Sequence, residues 1–389
     1  MNRALNYSIA ENLSKGEVVN EWIVCRLDEV ADIVDCEHKT APIEENTEFY
    51  SIRTSNILNG KIDFQGSNRV SFETYQEWTK RAIPKEGDII LAREAPVGEV
   101  GMVKKDRKVC LGQRTVLLSV NNENVHNHYL LYYLVNPAIK FELISRSTGS
   151  VVSHLNMKDI RAFEISLPPY PEQKAIAAVL SSLDDKIDLL HRQNQTLEAM
   201  AETLFRQWFV VEAQEDWDEG TLDDLVEFNY GKTLRDHERS GHGFPVYGSS
   251  GIVGYHHEYL VKAPGIITGR KGTLGVINYS FKNFFPIDTT FYITSKTESD
   301  GLFFEYFLLK TLNLAEMNSD SAVPGLNRNL AHGMQLTIPP MQLIKDFNQR
   351  IKPFFNKLSI NQSHIYTLET LRDTLLPKLM SGEVRVNYG

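Results

Sequence analysis

The amino-acid sequence has 389 residues, of which 42% are hydrophobic and 10% aromatic, so it is long enough for two or three domains with sizeable cores. The net charge of −9 excludes a chain that is basic throughout, so a nucleic-acid surface would need locally clustered cations or a partner's charge. No apolar run is long enough to cross a bilayer, the first residues (MNRALNYSIAENLSKGEVVNEW) lack a signal-peptide layout, and the three cysteines have no metal-ligand spacing. We therefore expect a cytoplasmic protein that binds no metal and does not associate with membranes.

Residues 22–170, which follow an N-terminal extension at 1–21, are expected to form the first domain. The β-branched and aromatic runs at 87–91 and 116–120 predict short strands, because Gly, Asn and Pro turns interrupt them. Residues 128–135 have a helical pattern. This mixture indicates a compact α+β domain with long surface loops.

A long helix is predicted next, in a spacer segment at 171–213. Pro171 and Glu172 suit its first turn, because proline needs no amide partner there and an acid favours the positive end of a helix. Apolar residues then recur at strict four-three spacing, which is the seam of a coiled coil about 50 Å long at ~1.5 Å per residue. The seam comprises Ile176, Leu180, Leu183, Ile187, Leu190, Asn194, Leu197, Ala201, Leu204 and Trp208.

The second domain is expected at 214–340, and it has the same mixture of short strand-like runs and helical patches as the first. Runs at 265–268 and 290–293 predict strands, and residues 302–312 predict a helix. A second spacer helix follows at 341–381, before a C-terminal tail at 382–389. Its four-three seam comprises Phe347, Ile351, Phe354, Leu358, Asn361, Ile365, Leu368, Arg372, Leu375 and Leu379.

The second half of the chain repeats the order of the first. The stretch SHLNMKDIRAFEISLPP (153–169) aligns without a gap with PGLNRNLAHGMQLTIPP (324–340), and the same offset of 171 continues into the helices, where TLE at 196–198 matches TLE at 367–369. Upstream the offset changes, since Trp22 and Leu27 correspond to Trp217 and Leu222. A shared motif order over this length indicates a duplicated domain-plus-helix unit.

The two seams are predicted to pair with each other in antiparallel orientation. If facing residue numbers sum to 555, Asn194 faces Asn361, and two buried amides that satisfy each other can fix a register. Leu183 faces Arg372 less favourably, unless the arginine head reaches water. The alternative is a pair of ordinary core helices, each packed against its own domain. We predict an α+β fold of two domains separated by an antiparallel two-helix coiled coil, with a pseudo-twofold internal repeat.

This layout resembles the specificity (S) subunits of Type I restriction–modification systems. The residues LPPYPEQ (167–173) are similar to the helix-initiation motif of that family, and IPPMQLI (338–344) is a degenerate second copy. GDIILAR (87–93), FPVYGSSGIVG (244–254) and GIITGRKGTLG (265–275) resemble segments of the family's target-recognition domains.

The resemblance implies a non-catalytic subunit that binds double-stranded DNA, with each target-recognition domain reading one half of a split site. It also implies that the helices set the spacing between the half-sites and dock two DNA adenine methyltransferase subunits, which translocase–nuclease subunits can join. No cofactor is implied for the chain itself.

Two other functions are the alternatives, a self-contained DNA methyltransferase or nuclease and a protein-binding coiled-coil scaffold. Leu167-Pro168-Pro169-Tyr170 resembles an amino-methyltransferase motif, but Leu167 cannot hydrogen-bond a target amine. Residues 231–233 (GKT) resemble the end of a phosphate-binding loop, yet position 226 is Val where that motif needs Gly. Residues 256–258 (HHE) lack a second ligand cluster. We therefore expect no catalytic residues, whereas the acidic charge leaves the scaffold open.

Candidate DNA-binding residues are those whose side chains suit base edges or phosphates and which lie in or beside predicted loops. For each the alternative is an ordinary solvated position, and for Arg93 and Arg270 a structural ion pair. These two arginines are the strongest candidates because they occupy matching positions of the repeat. The candidates are Arg53, Asn56, Arg93, Arg114, Ser147 and Ser150 in the first domain, and Lys232, Arg235, Tyr247, Ser249, Arg270 and Lys271 in the second.

Overall fold

The computed structural model describes residues 22–147, 154–297, 300–317 and 325–387. The chain divides into two units, one formed by the residues up to Ile187 with those from Thr367 onward, and the other by Asp188–Tyr366. The boundary falls within both long helices, Tyr170–Arg206 and Met341–Met380. Within the described ranges, no helix combines the length and apolar character that a membrane span requires.

The first unit is an α+β unit of short strands and helices. Its strands are β1 (Ile23–Arg26), β2 (Ala31–Asp35), β3 (Phe49–Ile52), β4 (Ile57–Leu58), β5 (Lys61–Ile62), β6 (Asn68–Val70), β7 (Ile89–Ala92), β8 (Val100–Met102), β9 (Lys108–Leu111), β10 (Thr115–Val120) and β11 (Glu164–Leu167). Its shorter helices are Phe72–Trp78, Asn127–Val135, Pro137–Ser145 and Met157–Arg161, with 3-10 turns at Leu27–Glu29 and Thr54–Asn56.

A four-stranded antiparallel sheet in the order β2-β10-β7-β8 forms the centre of this unit. A three-stranded sheet in the order β6-β3-β9 accompanies it, in which β3 and β9 are parallel. The pairs β1-β11 and β4-β5 are separate ribbons. Successive side chains of a strand point to opposite faces. Accordingly, Ile89 and Leu91 of β7 pack in the cluster that contains the helical residue Tyr129, whereas Ile90 and Ala92 pack in the cluster of the three-stranded sheet.

The second unit repeats this arrangement. Its strands are β12 (Asp218–Thr221), β13 (Val226–Tyr230), β14 (Phe244–Gly248), β15 (Gly251–His256), β16 (Gly265–Gly269), β17 (Ile277–Ser280), β18 (Phe285–Pro286), β19 (Thr290–Ser295) and β20 (Gln335–Ile338). Its shorter helices are Leu222–Leu225, Phe303–Thr311 and Arg328–His332, with 3-10 turns at Asp236–Glu238 and Leu314–Glu316 and a π-helical segment at Gln207–Val211.

The sheets of the second unit have the same topology as those of the first. The four-stranded sheet is ordered β13-β19-β16-β17, the three-stranded sheet β15-β14-β18 contains the parallel pair β14/β18, and β12 pairs with β20. Ile266 of β16 packs with the helical residues Phe303 and Phe307, while Ile267 packs with Tyr247 on the other face. The α+β class and the internal repeat predicted from the sequence are therefore confirmed.

Matching hydrogen bonds show that the repeat extends to individual residues. Leu155 N donates to Arg93 O at 2.9 Å, and Leu326 N donates to Arg270 O at the same distance. The sequence repeat aligns Leu155 with Leu326 and Arg93 with Arg270, although the two pairs are separated by different numbers of residues. Arg93 and Arg270 therefore begin structurally equivalent loops.

The two long helices pair in antiparallel orientation through the predicted seams. In the second unit Asn361 Nδ2 donates to Asn194 Oδ1 at 2.8 Å, and the rings of Trp208 and Phe347 lie 5.9 Å apart. Both pairs sum to 555, so the structure brings together the residues that the register predicts. All twenty seam positions are buried or half-buried. The predicted antiparallel coiled coil is confirmed.

Arg372, the position that fits the seam least well by composition, is held by a carboxylate. Its Nη1 donates to Asp184 Oδ1 at 2.8 Å, and Asp184 Oδ2 accepts a hydrogen bond from Tyr132 Oη at 2.7 Å. Arg372 and Leu183 are both half-buried, and the arginine charge is compensated by an ion pair rather than by water alone.

The start of the first long helix is fixed by two buried polar side chains. Glu172 is fully buried and forms an ion pair with Arg385, whose Nη2 donates to Glu172 Oε2 at 2.6 Å. Gln173 Nε2 donates to Pro168 O at 2.8 Å, and its Oε1 accepts from His126 N at 2.9 Å. Through Glu172 and Gln173, the LPPYPEQ motif therefore connects the end of β11, the loop that contains His126 and the C-terminal tail that contains Arg385. At the second start, Leu343 and Ile344 occupy these two positions and Ile344 is buried in an apolar cluster, so that copy lacks the polar joint.

Candidate nucleic-acid interface

In the second unit, loops that follow four strands meet at one edge of the sheets. β14 and β18 run parallel, so the residues that follow Gly248 and Pro286 emerge on the same side. Lys232 N, just after β13, donates to Pro286 O at 3.0 Å. Arg270 N and Lys271 N, just after β16, donate to Thr289 O at 2.8 and 3.1 Å. The backbone thus gathers three cationic residues around segment 286–289.

The side chain of Arg270 is held without a carboxylate. Its Nη1 donates to the backbone oxygen of Asp288 at 2.9 Å, and its guanidinium carbon lies 5.1 Å from the ring centroid of Tyr230. A cation over an aromatic face is attracted to it and keeps its charge. Arg270 is half-buried, so the guanidinium is oriented and still reachable from solvent.

Ser249 packs against the turn that follows β16. A Cβ atom at Gly269 would lie 1.9 Å from Thr273 O and 3.2 Å from Ser249 Cβ, so only glycine fits at this crossing. Gly272, at φ +84°, approaches Ser249 Oγ. The turn therefore brings Ser249 next to the loop of Arg270 and Lys271.

We name as the second cluster the residues that these contacts bring together. Among the described residues, no carboxylate forms a salt bridge with the side chain of Lys232, Arg270 or Lys271. The second cluster comprises Tyr230, Lys232, Arg270, Lys271, Asp288 and Thr289.

The first unit contains an equivalent set of positions on the same hydrogen-bond frame. Gly112 N donates to Ile52 O at 2.8 Å and Arg93 N to Arg114 O at 2.9 Å, as Ile287 N donates to Tyr247 O and Arg270 N to Thr289 O. We name as the first cluster the residues equivalent in order to those of the second, which are Asp35, Glu37, Arg93, Glu94, Gln113 and Arg114.

Arg93 is committed to contacts inside the protein. Its Nη1 lies 3.0 and 2.8 Å from the two carboxylate oxygens of Asp35, its Nε donates to Leu155 O at 3.1 Å, and only 13% of its side chain is exposed. This geometry is the structural ion pair that was the alternative to DNA contact. Asp35 occupies the position of Tyr230, so the two equivalent arginines differ in their partner.

The other arginines of this region are also paired with carboxylates. Arg114 Nε lies 2.9 Å from Glu94 Oε2, with 55% of the arginine side chain exposed. Arg81, which the sequence reasoning did not select, forms a salt bridge with Glu37 at 3.2 Å. Both arginines of the first cluster are therefore paired with carboxylates, although the side chain of Arg114 remains accessible to solvent.

The remaining candidates of the first unit lie in different environments. Arg53 is exposed, beside Gly112. Asn56 is only 4% exposed and uses its amide to close a turn, accepting from Arg53 N at 3.1 Å and donating to Gly66 O at 2.9 Å, which favours a structural role. Ser147 is half-buried after the helix Pro137–Ser145. Ser150 lies outside the described residues.

In the second unit, Tyr247 lies in the interior and Arg235 at the surface. Tyr247 is 7% exposed, its ring packs edge-on against Phe284, and burial raises the pKa of its hydroxyl. Its position favours a core role over base contact. Arg235 is exposed at the start of a 3-10 turn, where its backbone N–H donates to Glu238 Oε2 at 2.7 Å.

Sequence reasoning overlooked a basic segment where β8 of the four-stranded sheet leads into β9 of the three-stranded sheet. This segment, KKDRK at residues 104–108, is exposed. The guanidinium carbons of Arg107 and Arg69 lie 5.5 and 4.8 Å from the ring centroid of Tyr50, and Arg107 Nη1 donates to Tyr50 Oη at 3.1 Å. The run of four cations in five residues was the available signal. Lys108 forms an ion pair with Glu48, which offsets part of this charge.

The GKT segment at 231–233, which resembles the end of a phosphate-binding loop, has a structural explanation. Gly231 of the GKT segment is required by packing, because a Cβ there would lie 2.2 Å from Ile287 O. Burial raises the pKa of Cys25 to about 12 and of Cys110 to about 11, so neither thiol is an activated nucleophile.

Among the residues that the structure describes, two groups of side chains have potential metal-ligand atoms within 4.8 Å of one another, residues 256–258 and the set Asp223, Glu227 and His332. In the latter set, Asp223 and Glu227 already form salt bridges with Lys296, and Glu227 forms another with Arg328. Within the described part of the chain this set is an ion-pair network.

Comparison with known families decides the assignment that the duplicated fold suggests. The family described as Type I restriction modification DNA specificity domain matches residues 20–199 and 214–370, one stretch on each repeat. The chain belongs to this family. It is a specificity subunit of the Type I restriction–modification class.

Two relatives of this specificity subunit align with most of its length. It is 24% identical over 418 residues to the MjaIX specificity subunit of Methanocaldococcus jannaschii, covering 95% of each chain. It is 21% identical over 435 residues to the HindI specificity subunit of Haemophilus influenzae, covering 86% of this chain and 94% of that one. Its fold resembles the S subunit of a Type I system from M. genitalium, with a TM-score of 0.59 at 20% identity over 94% of this chain and 97% of the other.

Proposed function

We propose that this specificity subunit has no catalytic activity of its own and reads a bipartite double-stranded DNA target. The domain at 22–170 would read one half-site and the domain at 214–340 the other. It would act with two DNA adenine methyltransferase subunits, and translocase–nuclease subunits would join that complex.

One observation carries the proposal. Each unit presents loops at equivalent positions on one hydrogen-bond frame, yet the side chains at those positions differ between the copies. A conserved frame with different polar side chains is what two readers of different sequences require, because base edges are distinguished by the donors and acceptors that face them. A symmetric target would instead need matching residues.

The long helices are proposed to set the distance between the half-sites and to dock the methyltransferase subunits. The spacer segments are 171–213 and 341–381. Exposed apolar side chains along them support a partner surface, since water-facing helix positions are otherwise polar. These side chains are Leu189, Met200, Ile360, Tyr366 and Leu371.

A domain exchange tests the reading of half-sites. Residues 217–340 are replaced by the equivalent region of another member of the family, and the chimera is expressed with its methyltransferase. We expect the methylated motif, mapped across a genome, to change in one half only. The reciprocal exchange of residues 22–169 is the matched control and should change the other half. A chimera in which both halves change, or neither, would contradict modular reading.

A second measurement separates the competing functions. The purified chain should transfer no methyl group, and native mass spectrometry of a mixture with its methyltransferase should show two such subunits per chain. Methylation or cleavage of DNA by the chain alone would establish an enzyme. A complex with partner proteins that ignores DNA sequence would establish a scaffold.

A further inference from the structure

The two clusters occupy equivalent positions but carry opposite charge. The second cluster has three cations and one carboxylate, which are Lys232, Arg270, Lys271 and Asp288. The first cluster has two cations and three carboxylates, which are Arg93, Arg114, Asp35, Glu37 and Glu94. Duplication therefore produced two similar loop frames with different electrostatics.

The two clusters also differ in whether their cations form salt bridges with carboxylates. In the first cluster Arg93 is neutralised by Asp35 and Arg114 by Glu94. In the second cluster the equivalents of these acids are Tyr230 and Lys271, and among the described residues no carboxylate forms a salt bridge with the cluster's cations. A guanidinium already bound to a carboxylate brings no net charge to a phosphate. An unpaired cation does, and each phosphate it neutralises releases counterions.

We propose that the second cluster binds the phosphodiester backbone of DNA and supplies the salt-dependent part of binding, whereas the first cluster, whose two arginines are paired with carboxylates, supplies no unpaired positive charge. The inference rests on the proposed function and assigns its electrostatic component to one domain. It also offers a way for a chain of net charge −9 to attract DNA, because the second cluster gathers three cations that have no carboxylate partner among the described residues.

The salt dependence of DNA binding by the subunit–methyltransferase complex tests this assignment. Binding to a duplex with the cognate target and to one without it is measured by fluorescence anisotropy between about 50 and 200 mM salt, a range in which each phosphate contact changes affinity about 3.5-fold. Tyr230→Asp supplies Arg270 with the kind of partner that Arg93 has. We expect the slope of log affinity against log salt to become shallower by about one, while Tyr230→Phe retains the ring and the original slope.

A pair of double variants compares the two clusters directly. Lys232→Gln with Lys271→Gln removes two unpaired cations and should make the slope shallower by about two. Arg114→Gln with Glu94→Gln removes a paired cation of the first cluster together with its carboxylate and should leave the slope unchanged, even where affinity falls at every salt concentration.

The outcomes distinguish the inference from the function on which it rests. Equal slope changes in both double variants, or a change only for the Arg114 and Glu94 variant, would overturn the asymmetry while the wild-type complex still discriminates its target. An unchanged slope in Tyr230→Asp and in the Lys232 and Lys271 variant would overturn it too. A wild-type complex that binds both duplexes equally would instead overturn the proposed function.

Discussion

The buried amide pair Asn194–Asn361 gives a stability prediction that can be worked from the structure. Asn361 is fully buried, and its Nδ2 donates to Asn194 Oδ1 at 2.8 Å and to Gln193 Oε1 at 3.5 Å, while its own Oδ1 has no hydrogen-bond partner. Asn194→Leu removes the shorter bond and leaves a buried amide poorly satisfied. A group left in this state costs about 1–3 kcal/mol.

Replacing both asparagines by leucine should reverse that loss. The double variant buries no amide and gains apolar contact, so it should be at least as stable as the wild type, although its register is specified less strongly. Gln195→Leu, at an exposed position of the same helix, is the matched control and should change stability by less than about 0.5 kcal/mol.

Scanning calorimetry is the suitable assay, because a chain of two units need not unfold in one step. For a unit of this size about 1 kcal/mol shifts Tm by roughly 2–4 °C, so Asn194→Leu should lower the relevant transition by about 2–12 °C. A single variant as stable as the wild type, or a double variant less stable than the single, would refute the reasoning.

Two further predictions concern the C-terminal joint and the spacer. Arg385→Ala should lower the stability of the first unit by about 3 kcal/mol, because it leaves buried Glu172 without its cation. In that background Glu172→Gln should restore most of the lost stability, as measured by calorimetry. Equal stability of the single variant Arg385→Ala and of the double variant would contradict this role. Seven residues inserted after Asn194 and seven after Asn361 keep the heptad phase and should lengthen the DNA spacer by roughly 10 Å, about three base pairs, with unchanged half-sites in a methylation map. An unchanged spacer with full activity would assign the spacing to another part of the complex.

The helices and their register could be predicted from the sequence, because heptad periodicity and a constant offset are local signals. The antiparallel register in which facing residue numbers sum to 555 predicts that Asn194 faces Asn361, and the structure brings the two side chains into contact. The strands at 265–268 and 290–293 were found within two residues, since β-branched runs between glycine turns report directly on buried strands.

The roles of the loop residues could not be predicted in the same way. Arg93 and Arg270 look equivalent in sequence, and their difference depends on Asp35 and Tyr230, which tertiary packing brings to them from another strand. Tyr247 and Asn56 were chosen for their polarity, whereas their burial depends on how the neighbouring sheet and turn close over them. The sequence shows the chemistry of each side chain, but it does not show whether the folded protein leaves that side chain accessible to solvent.

The joint between Glu172 and Arg385 has a consequence for synthesis of the chain. The first unit takes the helix Tyr170–Arg206 only as far as Ile187 and is completed by residues from Thr367 onward, whose Leu376, Leu379 and Met380 belong to its core. A nascent chain that has emerged only as far as the second domain therefore still exposes the apolar surface these residues cover. The first unit is therefore completed only after the second domain has been synthesised, and a ribosome-bound chain that ends within the second domain has an incompletely covered core in its first unit.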